Sequence, residues 1–284
     1  IEDKKVNLVD ICTPTYTHRS IAVEAAKAGK HVLVEKPIAL TLKDADAMIE
    51  AAEKSGVKLM VAQVIRFFSE YRKVKELVDK GTLGEPIIAR GLRAGPLPGW
   101  GIKSWFKDQR LSGGVGVDMA IHEIDVMRWI FNDDVKRVYA KVGRFVRKDA
   151  KMDDHALMIL RFNRGGIAHI EVSWAVPQEY PFTYAFELAG TKGFVEFNNH
   201  SMTPITIMAG GRVERFSPDT EKWVPGMPFP IDPYYREIRH FADSVLQDKE
   251  PMTGGRVGRS ALEVSLAAQR SSKTGKPVNL PLEA

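Results

Sequence analysis

Over its first sixty residues the chain alternates short apolar runs with stretches of helical periodicity. Val6 to Ile11, Val32 to Val34 and Leu59 to Ala62 read as strands of the buried type. Between the first two runs, Ile21, Ala22, Ala25, Ala26 and Ala28 recur at helical spacing and stop at Gly29. Between the second and third, Ala45, Met48, Ile49 and Ala52 do the same and stop at Gly56. Glycine just past a helix end supplies the left-handed residue that closes it. Thr41 is placed to cap the second helix, with Asp44 three residues on in capping-box spacing. This β-α-β-α-β order predicts a parallel sheet with helices on its faces and right-handed crossovers.

After residue 62 the pattern changes. A helix is expected from Ser69 to Lys80, ended by Gly81, and a strand from Pro86 to Leu92. A loop rich in Gly and Pro follows from Gly95 to Gly101, then one continuous helix from about Gly116 to Phe131. Strand-like stretches come next: Val135 to Arg147, Asp154 to Asn163, Ile167 to Trp174, Tyr184 to Ala189, Gly193 to Phe197 and Ile205 to Met208. Turn signals such as Asn163-Arg164-Gly165-Gly166 and Gly210-Gly211 separate several of them. Successive strands joined by short turns predict a large, mostly antiparallel sheet. Two helices, about Tyr234 to Gln247 and Gly258 to Thr274, close the chain. The fold class is therefore α/β followed by α+β, divided at residues 1–62 and 63–284. An open sheet of this kind makes a homo-oligomer, dimer or tetramer, the expectation, with Ile167, Ile170 and Trp174 available for either the interface or the core.

Composition narrows the function classes. Of 284 residues, 44% are hydrophobic and 27% charged, as in a water-soluble globular protein. No apolar run reaches the about 18 residues that span a bilayer, so no membrane partner is expected. The net charge of +5 is spread over helical segments such as Tyr71 to Lys80, where basic and acidic residues alternate. That reads as solvated helix faces and not as a nucleic-acid stripe. The single Cys12 excludes an internal disulfide and a cysteine metal cluster, and fits a reducing, cytoplasmic setting. The chain begins at Ile1 and runs almost at once into a strand, which suggests a fragment or a numbering taken from inside a longer protein.

Three segments carry candidate chemistry. Glu35-Lys36-Pro37 ends the second strand, because proline lacks an N–H and fixes φ. Lys36 thus sits at the carboxyl lip of a strand, where open α/β sheets bind ligands. A lysine desolvated there becomes suited to proton transfer, although the same tripeptide also reads as a solvated turn. On the helix from Gly116, Asp118 and His122 are four residues apart and Asp125 three further on. Neighbouring carboxylates can orient an imidazole and raise its basicity; a structural His–Asp pair is the alternative. His122-Glu123 lacks the second histidine of a zinc-binding helix, so no metal is expected. Cys12 to His18 follows the first strand, and its hydroxyls and free N–H groups suit a phosphate or an amide, or simply a helix cap. Nowhere does the sequence contain G-x-G-x-x-G.

Together these pieces resemble the Gfo/Idh/MocA family (glucose–fructose oxidoreductase and inositol dehydrogenase-like proteins). Ile11-Cys12-Thr13-Pro14-Thr15-Tyr16-Thr17-His18 resembles the family's "ICTPN..H" turn. Ala28-Gly29-Lys30-His31-Val32-Leu33-Val34-Glu35-Lys36-Pro37 matches its "GKHVLVEKP" signature. The run from Gly113 through Asp118 and His122 to Asp125 resembles its "GGG..D.G.H..D" helix. Arg66-Phe67 with Tyr71-Arg72-Lys73-Val74, and the ending from Glu263 to Val278, resemble further segments.

The resemblance implies a Rossmann-type dinucleotide domain, of which residues 1–62 are the C-terminal part, and a substrate-binding and oligomerisation domain over 63–284. It implies that roughly 60 to 75 residues with the glycine-rich loop precede Ile1, and that these residues alone bind dinucleotide poorly. The implied cofactor is NAD or NADP, with Thr13, Pro14, His18, Glu35, Lys36 and Gln63 on its nicotinamide side. Lys36, Asp118 and His122 are implied as catalytic, and Arg66, Trp105, Asp118 and His122 as contacts to a sugar, inositol or related polyol. A family-related NAD-dependent glycoside hydrolase and a non-catalytic dinucleotide-binding regulator are the competing functions. Departures are Val115 within the glycine triplet, Ala120 where glycine is frequent, and Thr15 where asparagine is frequent.

Overall fold

The computed structural model describes residues 1–201, 204–217 and 232–282. Strands β1 (Leu8–Ile11), β2 (His31–Glu35) and β3 (Leu59–Ala62) pair in parallel in that order. Val9 lies opposite Val32, and Val34 opposite Val61. Helices α1 (His18–Lys27) and α2 (Leu42–Ser55) supply the crossovers. Thr41 caps α2 as its sequence implies, its Oγ1 accepting the Asp44 N–H at 3.1 Å.

Side chains of a strand alternate between faces, and the core follows that rule. Val32, Val34, Leu59 and Val61 join the core that includes α1 and α2, whereas Leu33, Met60 and Ala62 pack with Phe67 and Phe241 on the opposite face. Phe241 belongs to a helix near the end of the chain, so a late element covers the back of the first sheet. The division at residue 62 thus separates the two sheets but not their packing.

Helix α3 (Ser69–Asp79) leads into β4 (Pro86–Ala94), followed by three helices, α4 (Gln109–Ser112), α5 (Val115–Asp118) and α6 (Ala120–Phe131). Then come β5 (Val135–Gly143), β6 (His155–Phe162), β7 (Ile167–Ser173), β8 (Thr183–Gly190), β9 (Gly193–Asn198), β10 (Ile205–Ala209) and β11 (Arg212–Phe216). Helices α7 (Asp232–Leu246) and α8 (Gly255–Thr274) and the short β12 (Val278–Asn279) complete the chain. Strands β4 to β12 form one sheet in the order β11-β10-β9-β8-β4-β7-β6-β5-β12. Only β4 and β7 among these neighbours run parallel. Ala156, Met158, Leu160 and Phe162 of β6 are fully buried, while Leu157 and Ile159 between them are exposed. The sheet therefore has one covered and one open face, and α6 and α8 pack on its covered side. Ile170 and Trp174 are buried in the core, and Ile167 alone of the three residues raised above points outward.

Two elements depart from their sequence pattern. The expected strand through Arg147 stops at Gly143, because the Asp154 carboxylate accepts the N–H groups of Phe145, Val146 and Arg147 at 2.6–2.8 Å and closes a turn. The expected continuous helix through Asp118 and His122 breaks at Met119. No helix among the described residues is long and apolar enough to cross a membrane.

Candidate functional site

Lys36 follows the last residue of β2, joined to Pro37 by a cis peptide bond. Its Nζ donates to the Asp118 carboxylate at 3.1 Å and to the Asp118 backbone carbonyl at 2.9 Å. The second acceptor exists because of the break at Met119. In an unbroken helix the N–H of His122 would take that carbonyl; here it donates to Met119 O at 3.3 Å instead. The freed carbonyl faces the lysine. Both side chains of the ion pair are largely buried, at 17% and 9% exposure.

His122, one turn on, is half-buried, and its buried Nδ1 has no hydrogen-bond partner. Burial pushes its pKa well below the ordinary 6.5, and the positive charges of Lys36 and Arg93 push it further. The ring is therefore neutral near pH 7. The carboxylates that the sequence sets beside this imidazole are engaged elsewhere. Asp118 holds Lys36, and Asp125 receives two hydrogen bonds of 2.7 Å from Arg66 Nε and Nη2. Arg66 is not among the residues that line the cavity; its guanidinium is held by Asp125 of α6.

A cavity of about 710 Å³ brings the remaining groups together. Cys12, Thr13, Pro14 and Thr15 border it at the end of β1, Glu35 and Lys36 at the end of β2, and Asp118 and His122 at the helix break. Trp105 is on its wall. His18 and Gln63 are not. His18 bridges the two strand ends, its Nε2 2.8 Å from Thr13 O and its Nδ1 3.1 Å from Pro37 O. Gln63 is buried at the end of β3, and both its amide oxygen and its amide nitrogen lack a partner. Burial raises the Glu35 pKa, and the adjacent Lys36 partly offsets this.

Sequence reasoning missed Arg93. It lies on β4, lines the cavity, and donates to Glu123 of α6 through Nε at 2.8 Å. An alternating strand gives no sign that one of its buried positions carries a paired cation. Tyr234 of α7 also lines the cavity, and burial raises its phenol to about 12, so it is un-ionised. Among the described residues no group of three or more His, Cys, Asp or Glu side chains is arranged to hold a metal ion.

The cavity floor fits the nicotinamide end of a dinucleotide. Polar groups at the carboxyl ends of adjacent parallel strands converge there, in the crevice where such sheets bind nucleotides. The orphaned amide of Gln63 and the orphaned Nδ1 of His122 mark buried polar groups near it that the protein itself leaves unpaired.

Comparison with known proteins identifies the family. Residues 1–63 match the oxidoreductase family with NAD-binding Rossmann fold, and residues 71–196 match the Gfo/Idh/MocA C-terminal domain. Myo-inositol 2-dehydrogenase of Thermotoga maritima is 31% identical over 99% of this chain and 81% of its own length. The scyllo-inositol 2-dehydrogenase (NAD(+)) of Bacillus subtilis is 30% identical over 100% of this chain and 80% of its own length. The crystal structure of a probable dehydrogenase from Thermotoga maritima superposes with a TM-score of 0.83 at 30% identity, covering 98% of this chain and 81% of that one. The chain thus belongs to the Gfo/Idh/MocA family of oxidoreductases, and its cofactor is NAD or NADP.

Proposed function

We propose that the protein interconverts a secondary hydroxyl and a carbonyl on a sugar, inositol or related polyol. The observation that carries this reading is Lys36 Nζ held by Asp118 beside the half-buried, neutral His122 on one cavity wall. The named activities of the two inositol dehydrogenases above support the substrate class.

In this reading NAD or NADP, when bound, supplies the hydride acceptor at the nicotinamide. Thr13, Pro14 and Glu35 border that end of the cavity. The Lys36 ammonium donates a hydrogen bond to the reacting oxygen and stabilises the negative charge that develops on it. Asp118 keeps the ammonium at that point. His122 accepts the hydroxyl proton during oxidation and returns it during reduction. His18 acts through others, tying the Thr13 and Pro37 segments together.

Residues 1–62 act here as the dinucleotide-binding part and 63–284 as the part that holds substrate and partner subunit. The open face of the large sheet supports a homo-oligomer: exposed Tyr139 is paired with exposed Ile159, and exposed Ile88 with exposed Ile167. Contiguous exposed apolar side chains of this kind mark association surfaces.

The test is NADH formation by the full-length protein with NAD and a panel of cyclitols and hexoses. Turnover that requires Lys36 and His122 supports the reading. Release of an aryl group from an aryl glycoside without net NADH would instead establish the hydrolase.

A further inference from the structure

The cavity is built as two unlike halves. Its acidic, basic and imidazole lining groups, Glu35, Lys36, Arg93, Asp118 and His122, all come from outside residues 96–106 and 174–182, with Arg93 at the border, 5.7 Å from the Phe182 ring centroid. The half formed by residues 96–106 and 174–182 contributes Trp100, Trp105, Phe106, Trp174, Tyr180 and Phe182, and among its described lining residues no charged side chain. These rings are connected. Trp105 stacks on Phe106 at 3.9 Å between centroids, and Phe106 meets Trp100 edge-on at 5.2 Å and Trp174 at 6.0 Å. The series runs from Trp174, at 1% exposure, to Trp100, at 80% exposure on the rim. The intervening turn holds Lys103 and Ser104 at φ of 53° and 52°, a left-handed conformation costly for non-glycine residues and kept only where surroundings impose it.

A single polyol ring presents hydroxyls around its whole edge and needs polar partners, which the first half supplies. The second half supplies few such partners: the Gln178 amide, the Tyr180 hydroxyl and the indole N–H groups. It suits a group with an apolar face, because the electron-rich face of an aromatic ring attracts the weakly positive C–H face of a pyranose. At about 710 Å³ the whole cavity, whose floor also takes the nicotinamide, falls in the range that encloses drug-sized ligands.

We propose that the substrate is a two-ring glycoside: one ring is oxidised at Lys36 and His122, and a second, glycosidically linked sugar ring stacks on the Trp100–Trp105 wall. This rests on the polyol dehydrogenase reading above and narrows it.

The experiment compares kcat/KM of the full-length protein, by NADH formation with NAD, for disaccharides and for their constituent monosaccharides and cyclitols. Disaccharides are expected to be preferred by about tenfold or more, an amount consistent with burying one further ring face. In Trp100→Ala the ratio of disaccharide to monosaccharide kcat/KM is expected to fall towards one, through KM and not kcat. Thermal melting of the variant, whose altered side chain is mostly in solvent, confirms that it is folded. Equal or better turnover of single rings, or a ratio unchanged in Trp100→Ala, overturns the two-ring substrate and leaves the dehydrogenase intact. No NADH from any sugar or cyclitol overturns both.

Discussion

Lys36 and Asp118, 82 residues apart in the chain, meet through two bonds at once: Nζ to the carboxylate at 3.1 Å and Nζ to the main-chain carbonyl at 2.9 Å. This contact joins the carboxyl end of the small parallel sheet to the helix break beneath the large one. Replacing Lys36 by Met keeps the length of the side chain and removes its charge and hydrogen bonds. The variant is expected to lose about 10²- to 10⁴-fold in kcat, the usual worth of a positioned proton-handling group. Steady-state NADH formation measures this, and wild-type turnover by Lys36→Met would refute the assignment.

His122 sets the pH behaviour. Its folded pKa lies below the ordinary 6.5, so the neutral ring needed to accept a proton persists as pH falls through 6.5. The acid limb of kcat/KM for oxidation is therefore expected below pH 6.5. His122→Asn should cost about 10²- to 10⁴-fold in rate and abolish that limb.

The same shift predicts a stability effect of definite sign. As pH falls through 6.5 the unfolded chain binds a proton at this histidine and the folded chain does not. Its contribution is therefore complete above pH 6.5 and is lost as pH falls towards the folded value. Thermal melts of wild type and His122→Asn should diverge below pH 6.5, with the variant losing less stability; parallel curves would contradict this.

Arg66 and Asp125 form a buried bidentate pair at 7% and 1% side-chain exposure. Asp125→Ala strands a buried guanidinium and is expected to destabilise the fold by about 3–5 kcal/mol. Denaturant unfolding at neutral pH reads this directly, and a loss below about 1 kcal/mol would show the pair to be dispensable.

On the open sheet face, Ile159→Asp places a carboxylate in the patch beside Tyr139. Sedimentation velocity should show the wild type as a dimer or tetramer and the variant shifted towards monomer. A monomeric wild type would rule out this interface.

Much of this was written in local pattern. The β-α-β order, the Thr41 cap, the Gly29 and Gly56 stops and the strand lip at Lys36 are short-range features, set by residues a few positions apart. The placement of Asp118 and His122 near one another was legible as well. The break between them was not, because Val117, Met119 and Ala120 are all acceptable helix residues. The Arg66 pairing was not legible for a related reason: its partner Asp125 lies 59 residues on, beyond the reach of any local pattern. Arg93 went unread because Glu123 reaches it from another element.

The bend at Met119 bears on inheritance. One of the two acceptors for Lys36 is a peptide oxygen, and every amino acid supplies one. A change of the codon for position 118 deletes the carboxylate but leaves the oxygen where it was. The lysine's address is therefore recorded twice, once in a residue type that mutation can erase and once in the course of the backbone. Descendants of this sequence that alter the acid still present the ammonium group with its main-chain acceptor.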